Sequence, residues 1–358
     1  MRPTCATVRL DAIAENYRLA CRRAPGSQTM AVIKANAYGH GMAAVARRLE
    51  SIAPAFAVAL IDEAVELRQA GIQAPVLIMQ GVKEPAEFEL AAAESFWVML
   101  HQSRQVETLL SLQLQRPLHV WIKLDTGMHR LGVAVAEVDD IHRRLGSSAN
   151  VRGRPVLCTH LACADELERP FTDQQVQIIR RYGDSLGSPL SIANSAGILH
   201  WPQSHAAWNR PGIMLYGSSP TAAPADSVEG LQAAMTMRSE IIAVRDVAPG
   251  EGVGYGLDWT AERSARIGTV AIGYGDGYPR HAPSGTPVLV NGQRVPLTGR
   301  VSMDAIAVDL TDTPGVEIGD PVELWGENLP VNEIAAAAGT ISYEILAGLT
   351  GRARLVYR

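Results

Sequence analysis

The sequence predicts an α/β fold: a (β/α)8 TIM barrel over residues 1–225, followed by a smaller, mostly antiparallel β domain over residues 226–358. Two observations carry this expectation. From residue 30 to about residue 216, eight short apolar runs recur, each followed by a polar rim and a helical pattern of Ala, Leu, Glu and Arg. Near residue 220 the helical repeats stop, and Gly and Pro punctuate alternating or β-branched runs. Eight strand–helix repeats suggest a closed barrel. A doubly wound sheet is the structural rival, but no Gly-rich fingerprint follows the first strand.

Taken in order, the expected barrel strands are Met30 to Ile33, Phe56 to Leu60, Pro75 to Met79, Phe96 to Leu100, Leu118 to Leu124, Pro155 to Cys158, Leu190 to Ala193 and Ile213 to Tyr216. An amphipathic stretch begins at Asp11. Between strands, Asp62 to Ala70 reads as a helix stopped by Gly71, and Thr172-Asp173 as a cap before a periodic stretch to Tyr182. Residues 218–224, Ser-Ser-Pro-Thr-Ala-Ala-Pro, read as a linker. Beyond it, Ile241 to Val244, Ile267 to Ile272, Val288 to Val290, Ile306 to Leu310 and Val322 to Trp325 read as strands, before helical stretches at Asn332 to Ala338 and Tyr343 to Leu349.

With 358 residues, 47% of them hydrophobic, the chain can bury a substantial core. A net charge of -5 and a pI near 6.0 argue against a nucleic-acid or anionic-lipid surface, so small metabolites are the expected partners. No secretory signal and no run of membrane-spanning length is expected. Cys5, Cys21, Cys158 and Cys163 show no framework spacing, which points to reduced thiols in the cytoplasm. Cys158, His160 and Cys163 lie close together, but no second ligand pair follows at zinc-like spacing, and no metal is expected.

The chemistry gathers at strand ends. In Ala31-Val32-Ile33-Lys34-Ala35-Asn36-Ala37-Tyr38-Gly39-His40-Gly41 an apolar strand stops at a lysine, and Tyr38 and His40 read as the following loop. An amine at a parallel strand's carboxyl end, beside apolar walls, can lose its proton and attack a carbonyl. The plainer reading is a solvated lysine closing a strand. Further rims carry Lys123 to Arg130 after strand five, Thr159-His160 after strand six, Asn194-Ser195 after strand seven, and Trp208 to Ile213 before strand eight. Asp125 and Thr126 alone read as turn caps, His160 as a satisfied core imidazole, and Arg210 as the partner of a surface carboxylate. Together they suit an anionic, planar cofactor.

In this order the segments resemble the alanine racemases, as do Val253 to Gly256, Gly273 to Tyr278, Gly299 to Asp304 and Ile341 to Glu344. The resemblance covers essentially the whole chain. It implies a pyridoxal 5'-phosphate (PLP) enzyme that interconverts L- and D-alanine. Lys34 would carry the cofactor covalently and act as one proton-transfer base, with Tyr255 as the second base on the opposite face. Tyr38, Asn194, Ser195, Gly212, Ile213 and Tyr343 would bind the cofactor, most of them around its phosphate. Arg210 would face the pyridine nitrogen, with His160 between it and Tyr255. Arg130, Met303, Asp304 and Tyr274 would serve the substrate, and Lys123 is a candidate for carbamylation that fixes Arg130. Two tyrosines, Tyr274 and Tyr343, with Asp165, Arg280, Arg300 and Ile341, match a substrate channel suited to a methyl side chain. The family further implies a homodimer sharing its active sites between chains. It also implies a place in D-alanine biosynthesis for the cell wall, although alanine catabolism uses the same site. Departures are modest: Ser302 stands where some relatives have cysteine and His129 where some have glycine, and Cys163 falls at a variable position.

Inverting an α-carbon requires a proton to leave one face and another to arrive on the other, so two bases are the economical solution. The alternatives are a broad-specificity amino-acid racemase of the same fold, a basic amino-acid decarboxylase and a non-catalytic PLP carrier. The decarboxylase would need a glutamate where Arg210 stands, and carriers normally lack the second domain.

Overall fold

The computed structural model describes residues 3–221 and 228–358, which divide by contact into two compact units. One comprises Ala14–Ala37 and Met42–Leu215, and the other Met1–Ile13, Tyr38–Gly41 and Tyr216–Arg358. The expected boundary at 225/226 and the end of the expected linker lie outside the described residues.

The first unit is a parallel barrel. Its strands run in the order Gln28–Thr29, Trp208–Asn209, Leu190–Ser191, Val156–Cys158, His119–Asp125, Trp97–Leu100, Val76–Ile78, Phe56–Val58 and Ala31–Val32. The first and last of these segments are two halves of one strand divided at Met30, so the path describes eight strands. The halves bond to opposite neighbours, Asn209↔Thr29 on one side and Ala31↔Phe56 on the other, and this joins the ends of the sheet. Phe56, Ala57, Val58, Val76, Leu77 and Ile78 are all 0% exposed. Parallel strands covered on both faces require such continuous apolar runs rather than alternation. The helix Ile61–Gln69 begins where Glu63 reaches back to accept from Ala59 N and Leu60 N, and the expected stop at Gly71 adopts φ +90°.

One barrel strand differs from expectation. The eighth strand is Trp208–Asn209, and Ile213–Tyr216 is a 3-10 turn whose Leu215 N donates to Gly212 O at 2.9 Å. The run is apolar because it is buried, with Ile213, Met214 and Leu215 all 0% exposed, and not because it is pleated. Arg210 and Gly212 therefore follow strand eight. Pro211 has no N–H to donate, but its O still accepts from Val32 N at 3.0 Å.

The second unit is built on antiparallel pairing. Ala265–Val270, Ile306–Asp309, Gln293–Thr298, Pro287–Val290, Pro321–Trp325 and Met235–Val247 follow one another, and Met235–Val247 pairs back to Ala265–Val270. Val288, Val290, Val308, Leu324 and Trp325 fill the core at 0% exposure. The 13-residue strand Met235–Val247 was expected only over Ile241 to Val244. Register shifts at Met237/Arg238 and Ile241/Ala243 let it change partners along its length. Cys5–Val8, expected to belong to the barrel, instead pairs with Met235–Val247 and, in parallel, with Arg354–Tyr357. No helix among the described residues is long and apolar enough to cross a membrane.

Candidate active site

Every barrel strand points the same way, so residues just beyond successive strands collect at one rim. Lys34 follows the fully buried Ile33, Lys123 lies in His119–Asp125, His160 follows Val156–Cys158, and Ser195 and Arg210 follow strands seven and eight. The backbone after Lys34 is unusual. Ala35, Asn36, Ala37 and Tyr38 adopt φ of 53°, 52°, 53° and 51°, a left-handed turn without a glycine. Such a conformation costs roughly 1–2 kcal/mol per residue. It persists only where its surroundings over-determine it. Ala37 N donates to Ile33 O at 2.8 Å, Met42 N to Asn36 Oδ1 at 2.8 Å and Ala35 N to Glu63 Oε1 at 2.6 Å.

The barrel rim is rich in mutually repelling cations. Burial, then the Arg130 charge, lowers the Lys34 pKa, while Glu63 opposes the shift. Burial lowers that of Lys123; nearby Cys158 opposes this, and Arg210, Arg130 and Lys34 add to it. His160 is held well below its ordinary value by burial, then by Arg210, Lys123, Arg130 and Lys34. Arg210 is 5% exposed and among the described residues is paired with no carboxylate: it donates to Ser191 Oγ, to Thr159 O at 2.6 Å and to Ile192 O at 3.4 Å. The reading of Arg210 as a surface ion pair is thereby corrected, since burial leaves it only neutral acceptors. For Asp125 the structural reading stands. Its Oδ1 caps a turn by accepting from Gly127 N and His129 N at 3.0 Å, and its Oδ2 meets His129 Nδ1.

These residues fit an anionic, planar group such as PLP. An assembly of cations is favourable only when a ligand supplies the opposing charge. Ser195 Oγ accepts from Gly212 N at 2.9 Å and Met214 N at 3.3 Å, so its lone pairs are engaged and its proton is left to donate, as a phosphate oxygen requires. Asn194 caps the turn that carries Ser195, accepting from Gly197 N at 2.9 Å. Gln175, fully buried on the helix Phe171–Leu186, was not singled out in the sequence. It donates to Thr126 Oγ1 and His160 O and accepts from Ala162 N, fixing two rim loops together. A polar residue on the buried stripe of an amphipathic helix was the available signal.

Of the remaining expected residues, Asp165 lies in the first unit and the others in the second. Tyr38 stacks on Tyr216 at 4.8 Å and lies 6.0 Å from Tyr343, and burial raises the Tyr38 pKa. Tyr274 N donates to Ser302 O and Gly275 N to Met303 O, at 3.0 and 2.9 Å. A side chain at Gly273 would meet Ser302 O at 2.2 Å, so only glycine permits this approach. Arg352 then bridges Asp304 and the fully buried Asp276, which itself accepts from Gly273 N. Tyr274, Met303 and Asp304 are thus fixed as one group. Tyr255 sits on a neighbouring turn whose Val253–Gly254 backbone abuts Gly299 and Arg300. Tyr255 is 69% exposed, Met303 51% and Tyr274 39%. Among the described residues no cluster of three or more His, Cys, Asp or Glu could hold a metal.

Charge repulsion at the rim has a measurable consequence. His160 in the cofactor-free protein is expected to stay neutral below its ordinary value of 6.5. As pH falls through that value, the unfolded chain takes up a proton that the folded chain refuses, so stability drops by at most about 1.4 kcal/mol per pH unit. NMR titration should find Arg210→Met, or the more exposed Arg130→Met, moving His160 upward. A wild-type His160 that titrates at 6.5 or above would contradict the account.

Similarity to known proteins accords with this geometry. The N-terminal domain of alanine racemase matches residues 8–220, and its C-terminal domain residues 234–357. The chain is 50% identical to an alanine racemase of Stutzerimonas stutzeri over 355 residues, covering 98% of both proteins. Its structure superposes on the biosynthetic alanine racemase of Pseudomonas aeruginosa with a TM-score of 0.97 and 49% identity, covering 100% of each chain. It is also similar, at TM-score 0.90 and 29% identity over all of both chains, to the Bartonella henselae alanine racemase with covalently bound pyridoxal phosphate. With both of its domains and its full length matched, the chain belongs to the alanine racemase family.

Proposed function

We propose that this chain interconverts L- and D-alanine with PLP as cofactor, moving the α-proton between Lys34 on one face and Tyr255 on the other. The observation that supports it most is the gathering of Lys123, Arg130 and Arg210 near Lys34, where their charges act on one another. Lys34 would bear the cofactor, Ser195, Gly212, Ile213, Tyr38 and Tyr343 would hold its phosphate, and Arg210 and His160 its ring side. Bound there, PLP draws electron density from the α-carbon and acidifies its proton.

The side chains do the rest. Burial and Arg130 lower the proton affinity of Lys34, so near neutrality more of its amine is free to accept a proton. Burial, then the surrounding cations, disfavours the charged form of His160, which would then offer one donor and one acceptor to the second base. Arg130, Met303 and Asp304 would position the substrate, with Asp304 held by Arg352 and Met303 O accepting from Gly275 N. Lys123, whose amine is also depressed, is suited to carbamylation, because a carbamate would place a negative charge among the cations.

The chain would act as a homodimer in which Tyr255, Tyr274, Met303 and Asp304 of one protomer complete the barrel rim of the other. Supporting this, Tyr255, Leu257, Met303 and Ile341 are 51–69% exposed within one chain, more apolar surface than a finished site would leave in water.

Chiral analysis after incubating the PLP-loaded protein in D2O with L-alanine, L-serine, L-lysine or L-arginine tests the proposal. Rapid appearance of α-deuterated D-alanine, with the larger substrates nearly untouched, is expected. Turnover across the panel would replace it with a broad-specificity racemase, amine products with a decarboxylase, and no exchange with a carrier.

A further inference from the structure

We propose that Glu63 is a positioning residue for Lys34: one carboxylate oxygen caps its own helix while the other clamps the left-handed turn after Lys34. The proposal rests on the reading of Lys34 given above. Glu63 Oε2 accepts from Ala59 N at 2.7 Å and Leu60 N at 3.1 Å. Glu63 Oε1 accepts from Ala35 N at 2.6 Å, a bond spanning 28 positions.

Helix capping alone does not require the second bond. In the helix Pro85–Ala93, Glu87 occupies the equivalent place, and its Oε2 accepts from Lys83 N and Glu84 N at 2.6 and 3.0 Å. Glu63 makes this same cap and also reaches a second strand end. The residue it reaches is the first of the four in the left-handed conformation, directly after the lysine. An N–H in a strained turn, half exposed to competing water, holds its geometry best against a charged acceptor. The carboxylate is also the anion that favours the charged form of Lys34, against burial and Arg130. Glu63 therefore sets both the direction in which Lys34 leaves its strand and how readily it gives up a proton. A glutamine cannot reproduce this: with one amide oxygen it can accept on the helix side or the turn side, not both.

The test compares Glu63→Gln, Glu63→Asp and the matched capping control Glu87→Gln. In the cofactor-free proteins, competitive acetylation across a pH series, read by mass spectrometry, gives the titration of the Lys34 amine. Hydrogen exchange reads the Ala35 amide, and steady-state kinetics of the loaded proteins give kcat and KM. For Glu63→Gln, the Lys34 midpoint is expected to move further below its wild-type position and Ala35 exchange to quicken. Its kcat should fall by ~10–100-fold with KM changed far less. Glu63→Asp keeps the charge but shortens the reach, so it should quicken Ala35 exchange while leaving the Lys34 midpoint near wild type. Glu87→Gln should leave all three readings unchanged. If Glu63→Gln behaves as Glu87→Gln does, the proposal is wrong. Borohydride reduction separates this from the reading beneath it: cofactor trapped on a lysine other than Lys34 would overturn that reading, while the titration and exchange data would still report on the clamp.

Discussion

Lys34→Ala is expected to lose racemisation by at least ~10³–10⁴-fold, because in the proposed scheme one substitution would remove both the covalent attachment of the cofactor and one proton-transfer base. After borohydride treatment, no cofactor should remain bonded to the peptide that spans position 34. The stability of the cofactor-free variant should move the other way. Wild-type Lys34 has its pKa below the ordinary 10.5, so between its folded value and 10.5 the unfolded chain binds a proton that the folded chain does not. That difference weakens the fold progressively as pH falls through this window. Alanine has no such group, and the melting temperature of the cofactor-free variant near neutral pH should equal or exceed that of wild type. Reducible cofactor still attached to the chain would refute the assignment of Lys34.

For Tyr255→Phe, α-proton abstraction from L-alanine should collapse by ~10²–10⁴-fold, while exchange of the D-alanine α-proton with D2O is retained to a larger degree. In the proposed scheme two bases on opposite faces would each meet one enantiomer, so removing one hydroxyl would silence one direction of abstraction first. With Tyr255 at 69% exposure in the chain, deleting a single oxygen should alter monomer stability by no more than about 0.5 kcal/mol. Equal losses from the two enantiomers would count against a two-base scheme.

The barrel was legible because parallel strands buried on both faces leave continuous apolar runs, and Phe56–Val58, Val76–Ile78 and Trp97–Leu100 fall inside the expected ones. The eighth run misled for the same reason, since Ile213 to Leu215 are as buried as any strand. Cys5–Val8 and Arg354–Tyr357 were not anticipated, because each is short and gains its strand character from a distant partner, and Gln293–Thr298 was missed although it pairs with the adjacent Pro287–Val290. The rim was legible where strand ends carry unusual polar groups, since Lys34, His160 and Arg210 each follow a barrel strand. What composition could not show was the left-handed turn: Ala35, Asn36 and Ala37 would serve well in an ordinary helix, and only the bonds to Glu63 and Asn36 explain their conformation.

The placement of Cys5–Val8 also orders events during synthesis. The hydrogen bond between Thr4 Oγ1 and Ser239 Oγ links positions 235 residues apart. At the ~5–20 residues per second of translation, the strand waits on the order of tens of seconds for Met235–Val247, and longer for Arg354–Tyr357 on its other side. Until then Ala6 and Val8, both 0% exposed in the finished fold, remain in water beside two open edges. A nascent chain that has already completed its barrel thus still displays a sticky segment near its start, a natural foothold for a chaperone and the region most vulnerable if elongation stalls.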